Sequence, residues 1–130
     1  MPALETNAPR TPLIYLVDDE EVLLDLAEVA LMGRGYELKR FQNPQDALDA
    51  FVREPEKPSL LVTDFCMGSM NGLELSAQCK AAHPTLKVFM VSGTAGPEVA
   101  HSAPDKIDQF LAKPYSPSEL ARTVRALLTA

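Results

Sequence analysis

Asp18, Asp19, Asp64, Ser92 and Lys113 are the residues whose chemistry this sequence can combine. Each stands at the end of a short apolar run. Leu13 to Val17 leads into Asp18-Asp19-Glu20-Glu21, and Leu60, Leu61 and Val62 lead into Thr63-Asp64. Leu86 to Val91 leads into Ser92-Gly93, and Ile107 to Ala112 into Lys113-Pro114. Runs of this length suit strands buried on both faces. In a parallel sheet all four exits fall on one edge, where open α/β sheets bind their ligands. Three carboxylates gathered there repel one another. At an effective dielectric of ~20, a pair ~4 Å apart costs about 4 kcal/mol. Such a cluster calls for a cation, and hard carboxylate oxygens suit Mg²⁺, usually with phosphate oxygens and water completing the shell. Lys113 adds an ammonium that can pair with phosphate, and Ser92 adds a hydroxyl donor. Aspartate itself is a nucleophile toward phosphorus. The set reads as a site that accepts a phosphoryl group with metal assistance. A structural ion pair between Lys113 and one acid would leave two carboxylates unexplained.

The elements that position these groups alternate along the chain. After the first strand, a helix places Leu23, Leu26, Ala27, Ala30 and Leu31 on one face and stops at Gly33 or Gly35. Glu20 and Glu21 fit its first turn, where negative charge suits the helix dipole. Tyr36 to Phe41 carries Glu37, Lys39 and Arg40 and reads as an edge strand. Asn43-Pro44 is an N-cap followed by proline at the first helical position, with Ala47, Leu48 and Phe51 as the apolar stripe. Asn71-Gly72 turns the chain into a helix that buries Leu75, Cys79 and Ala82 and ends at His83-Pro84. There Cys79 reads as a small core residue and His83 as a charge near a helix C-terminus. Ala95 to Lys106, broken by Gly96, Pro97 and Pro104, is the weakest helical segment. The last helix opens on a Ser116, Pro117, Glu119 capping box and buries Leu120, Ala121, Val124, Leu127 and Leu128. Five strands alternating with five helices predict one α/β domain, a parallel sheet covered on both faces by right-handed crossovers.

Composition excludes several classes. The 130 residues fit one domain of common size. A net charge of −6 argues against a nucleic-acid surface, which needs a basic patch. Cys66 and Cys79 have neither metal-type spacing nor the density of a disulfide framework, as expected in a reducing interior. No apolar run approaches the ~20 residues that span a bilayer. Met1 to Pro12, with Pro2, Pro9 and Pro12, reads as a disordered lead without signal-peptide features. These features together predict a cytoplasmic protein without membrane association. Its effects are expected to pass through protein contacts rather than through an output domain of its own.

Val17-Asp-Asp-Glu20, Val62 to Met67, Asn71-Gly72, Ser92-Gly93 and Lys113-Pro114 together resemble the receiver domain of two-component response regulators. The likeness runs from about Leu13 to Ala130. It implies a doubly wound, flavodoxin-like (βα)5 fold with strand order 2-1-3-4-5, which sets the acids of the first and third strands side by side. It implies that Asp64 is the phosphoacceptor for a histidine kinase or histidine phosphotransfer protein. Asp18, Asp19, Asp64 and the backbone carbonyl of Cys66 would hold Mg²⁺, and Ser92 and Lys113 would bind the phosphoryl oxygens. Phe110 matches the aromatic that swings inward on activation, and the resemblance makes the Lys113–Pro114 bond cis. Such a domain is a signalling switch rather than an enzyme, a monomer or weak homodimer acting on a downstream protein through a surface centred on Ser92 to Phe110. Gly68 departs from the family, standing where proline usually follows Met67, and predicts a softer loop. Three other readings exist. An aspartate-nucleophile phosphatase wants a second Asp where Cys66 stands, and a cap domain. A flavin-binding module wants a Ser/Thr/Gly phosphate loop after the first strand. A receiver-like domain could also serve as an interaction module without phosphorylation.

Overall fold

The apolar runs fold as strands β1 (Leu13–Val17), β2 (Glu37–Phe41), β3 (Leu60–Asp64), β4 (Lys87–Ser92) and β5 (Gln109–Ala112). They pair in parallel in the order β2-β1-β3-β4-β5, in a computed structural model that describes residues 11–65, 67, 70–93 and 106–129. Helices α1 (Glu21–Leu31), α2 (Pro44–Arg53), α3 (Gly72–Ala82) and α4 (Pro117–Thr129) cover the sheet. This is a flavodoxin-like α/β fold. Most of the connection between β4 and β5, where the weak helix Ala95 to Lys106 is expected, lies outside the described residues, as does the lead before Thr11.

Side chains alternate across a strand, so each central strand feeds two core layers. Ile14, Leu16, Leu60, Val62, Phe89 and Val91 meet α1 and α4 on one face. Leu13, Tyr15, Val17, Leu61 and Val88 meet α2 and α3 on the other. Every residue of β1 and β3 is buried, while edge strand β2 stays half-exposed. With each fully buried large side chain contributing about 1.5–3 kcal/mol, the central strands are the best anchored part of the chain. Asn43 accepts from the Gln45 N–H at 2.8 Å and caps α2. Ser116 and Glu119 exchange hydrogen bonds at 3.0 and 3.1 Å, the reciprocal cap expected for the last helix.

Three expectations need correction. On α1 the core positions are Leu24, Ala27, Ala30 and Leu31, whereas Leu26 is 52% exposed and Leu23 half-buried. This helix carries apolar residues on two faces, so periodicity alone does not choose which turns inward. Ala82 is exposed, because α3 ends there and its buried set stops at Cys79. Strand β5 begins at Gln109 rather than Ile107. The Asp108 N–H donates to the Val88 carbonyl at 2.9 Å while its carboxylate accepts the Val88 N–H at 2.7 Å and pairs with Lys80 at 2.8 Å, so a side chain replaces the backbone acceptor at this rung of the ladder.

Gly72 ties the start of α3 to the end of β3. Its N–H donates to the Phe65 carbonyl at 2.8 Å, and a Cβ built on it would lie 2.2 Å from the Asp64 carbonyl oxygen. Backbone cannot be displaced as cheaply as a flexible side chain. Gly72→Ala is therefore expected to cost about 1–3 kcal/mol, as overpacking does, and to displace Asp64. Urea denaturation measures the first effect, and an unchanged midpoint would show that the two segments part freely.

Candidate phosphoacceptor site

Register places the site residues side by side. Val17 pairs with Thr63, so the next residues, Asp18 and Asp64, leave β1 and β3 at the same level. Asp64 pairs with Val91 and Ser92 with Ala112, which brings Ser92 and Lys113 to that level on β4 and β5. The Lys113 N–H continues the ladder by donating to the Ser92 carbonyl at 2.8 Å. The Lys113–Pro114 peptide bond is cis, as the resemblance implies.

Lys113 bridges the two acids. Its Nζ lies 3.0 Å from Asp18 Oδ2 and 3.5 Å from Asp64 Oδ1, and the three side chains are only 15%, 7% and 8% exposed. Asp18 Oδ1 accepts the Glu20 N–H at 2.9 Å, and Asp64 Oδ1 accepts the Phe65 N–H at 2.9 Å. Burial pushes the Asp64 carboxyl up, and the charges of Asp18 and Asp19 add to this. Lys113 and the Phe65 N–H oppose it, but the net shift is upward. Burial alone would lower the Lys113 ammonium, yet the hydrogen bond and charge of Asp18 and the charge of Asp64 outweigh it and raise it. The lysine is thus held charged, while burial and the neighbouring acids disfavour the Asp64 anion facing it.

The carboxylate oxygens of Asp18, Asp19 and Glu20 lie within 4.8 Å of one another, with Asp18 buried and the other two exposed. All three are hard oxygen donors, a set that fits a divalent cation such as Mg²⁺. Glu20 was not expected here. It reads from sequence as part of a helix first turn, but it sits at the N-cap with no side-chain cap bond, so its carboxylate stays available. Ser92 is buried at the end of β4, and Phe110 is half-buried opposite Met90. Cys66 and Gly68 lie outside the described residues. Tyr115, two residues past Lys113, gives no sequence signal. Yet its ring lines one hollow with Asp18 and another with Lys113, and its phenol is raised, by burial first and by Asp18 and Asp64, against Lys113. A cleft of about 400 Å³ lined by Thr11, Glu56, Lys57 and His83 lies at the opposite edge of the sheet, away from these acids. Among the described residues no helix is long and apolar enough to cross a membrane.

A buried carboxylate, a neighbouring ammonium and an acid cluster suited to a cation share one edge, a set with the chemistry to receive a phosphoryl group. Known proteins share this frame. Residues 14–125 match the family model of the response regulator receiver domain. The chain is 31% identical over 124 residues to the sensor kinase CckA of Brucella abortus, covering 95% of this chain and 13% of that protein. It is 30% identical over 118 residues to the phosphate regulon transcriptional regulatory protein PhoB of Pseudomonas aeruginosa, covering 88% of this chain and 51% of that protein. The chain thus spans about half or less of the curated relatives it matches. Among solved structures, a CheY-like response regulator receiver domain protein from Methanospirillum hungatei superposes with a TM-score of 0.83 at 27% identity, covering 92% of this chain and 95% of that one. A receiver domain from Vibrio parahaemolyticus gives 0.84 at 20% identity over 92% of each chain, a likeness of fold. Strand order, acid cluster and sequence agree: the chain belongs to the response regulator receiver domain family of two-component signal transduction.

Proposed function

We propose that this domain is a phosphorylation-activated switch in which Asp64 takes a phosphoryl group from the phosphohistidine of a histidine kinase or histidine phosphotransfer protein. The observation that carries this reading is the Lys113 ammonium between Asp18 and Asp64, at 3.0 and 3.5 Å. In the transfer, an Asp64 carboxylate oxygen bonds to phosphorus while the phosphorus–nitrogen bond of the donor breaks. The imidazole keeps the electron pair, and nothing is oxidised or reduced. Asp18, Asp19, Asp64 and the Cys66 carbonyl would hold Mg²⁺, with Glu20 beside them. When bound, the ion would neutralise the acids and draw charge from the phosphoryl oxygens. Lys113 would exchange its Asp64 contact for a phosphoryl oxygen, and Ser92 would donate its hydroxyl.

Hydrogen bonds to charged groups contribute about 1.5–3 kcal/mol each. Two of them supply ~3–6 kcal/mol, comparable to the ~5.5 kcal/mol that carries a two-state element from 1:99 to 99:1. That energy would reshape the surface from Ser92 to Phe110, most of which lies outside the described residues, for a downstream protein. Incubation with acetyl phosphate and Mg²⁺ followed by intact mass tests the reading. One phosphoryl group per chain, without turnover of phosphate esters, is the expected result. Repeated turnover would indicate a phosphatase, and no adduct an interaction module.

A further inference from the structure

Tyr115 stands between two hollows of different character. On one side it lines an open apolar groove of about 380 Å³ with Leu23, Leu26, Pro114, Pro117 and Lys113 itself. On the other it lines a narrow recess of about 10 Å³ with Val17, Asp18, Leu24, Val62 and Val91, and Leu23 borders both hollows. That volume is at the lower limit for a single water, and its walls apart from Asp18 are apolar, so the recess disfavours water. The ring also packs onto the core layer shared by α1 and α4. It therefore stands between the groove, which Lys113 also borders, and the apolar recess beside Asp18.

We infer that Tyr115 is a positioning residue for the phosphoacceptor site, whose ring keeps groove water from the Asp18 side of the Lys113–Asp18 pair and so holds the ammonium on Asp18 and Asp64. This rests on the reading of Asp64 as phosphoacceptor. Charge attraction weakens in proportion to the local dielectric, so water entering past a missing ring loosens Lys113. Two effects of opposite sign follow. A loosened ammonium is no longer aimed at the incoming phosphoryl oxygens, and phosphorylation slows. The same loosening removes a competing cation from the acids, and divalent-cation affinity rises. A merely destabilised fold would lower both.

The test uses the whole chain as wild type, Tyr115→Phe, Tyr115→Leu and Tyr115→Ala. Acetyl phosphate donates: the phosphorus–oxygen bond to acetate breaks, acetate leaves with the electron pair, and the new bond forms to Asp64. Adduct formation is followed by intact mass, and Mg²⁺ affinity by calorimetry on the unphosphorylated protein. Tyr115→Phe, which keeps the ring, is expected within about twofold of wild type in both measurements. Tyr115→Ala is expected to form the adduct about tenfold more slowly while binding Mg²⁺ more tightly, with Tyr115→Leu between them. If Tyr115→Ala does not fold, the same paired change in Tyr115→Leu decides. Wild-type behaviour of both truncations overturns the inference, as does slower phosphorylation with weaker Mg²⁺ binding. Slowing in Tyr115→Phe equal to that in Tyr115→Ala also overturns it, because the hydroxyl and not the ring would then matter. A wild-type protein that takes no phosphoryl group fails the phosphoacceptor reading itself, and this inference with it.

Discussion

In magnesium-free buffer at neutral pH, Asp64→Asn unfolds at a higher temperature than the wild-type chain and takes no phosphoryl group. The folded state raises the Asp64 carboxyl through burial and the charges of Asp18 and Asp19, against the pull of Lys113. A carboxylate raised in this way favours folding while it is protonated, and that contribution is lost as pH rises through its folded pKa. At neutral pH the wild type therefore carries a penalty that asparagine removes. The amide keeps the shape and an oxygen for the Phe65 N–H, and Lys113 keeps Asp18. A like-charge pair ~4 Å apart costs about 1 kcal/mol in water and about 4 at an effective dielectric of 20. Lys113 offsets part of this, so the gain should be near 1 kcal/mol, or roughly 3–5 °C in Tm for a domain of this size. Thermal melts across pH check the sign: the gap should open as pH rises from the acid side and close below the carboxylate range. A variant less stable than wild type at neutral pH would make Asp64 a structural partner of Lys113.

Lys113→Ala should move stability the other way. Its loss leaves Asp18 and Asp64, each under a tenth exposed, without the cation between them. Breaking a fully buried pair costs about 3–5 kcal/mol. Here water reaches part of the lysine side chain, and about 2–3 kcal/mol is expected in magnesium-free buffer. Millimolar Mg²⁺ should recover part of the loss, because a ligand that binds only the folded acids stabilises by mass action. It should not restore chemistry. Removing a preorganised donor to developing charge costs on the order of 10²-fold or more in rate. Urea denaturation with and without Mg²⁺, beside adduct kinetics, separates the two effects. Wild-type stability in metal-free buffer would show that the acids tolerate each other unaided.

Much of this arrangement is legible in the chain, for identifiable reasons. β1 and β3 are buried on both faces, so they read as unbroken apolar runs whose last residues mark the sheet edge. The acids announce themselves because each of these apolar runs ends abruptly on a charge. Strand order came only through the resemblance, since parallel neighbours leave no local trace. The phase of α1 was hidden because Val22, Leu26 and Val29 are as apolar as the core positions, yet all are exposed. The reciprocal cap of Asn71 and Glu74, at 2.8 and 2.9 Å, has the three-residue spacing of a capping box, although Asn71-Gly72 also reads as a turn. The start of β5 depends on the Asp108 carboxylate reaching Val88, and Tyr115 matters through the hollows on either side of it. Both are tertiary facts with no signature in the neighbouring residues.

The most direct test of Asp64 as phosphoacceptor is to trap the acyl phosphate and locate it. Borohydride reduces an aspartyl phosphate to homoserine, which peptide mass spectrometry places in the sequence. After treatment with acetyl phosphate and Mg²⁺, homoserine is expected at position 64 and nowhere else. Homoserine at position 18 or 19, or a phosphoryl adduct that yields none, would contradict the assignment of Asp64 as the nucleophile.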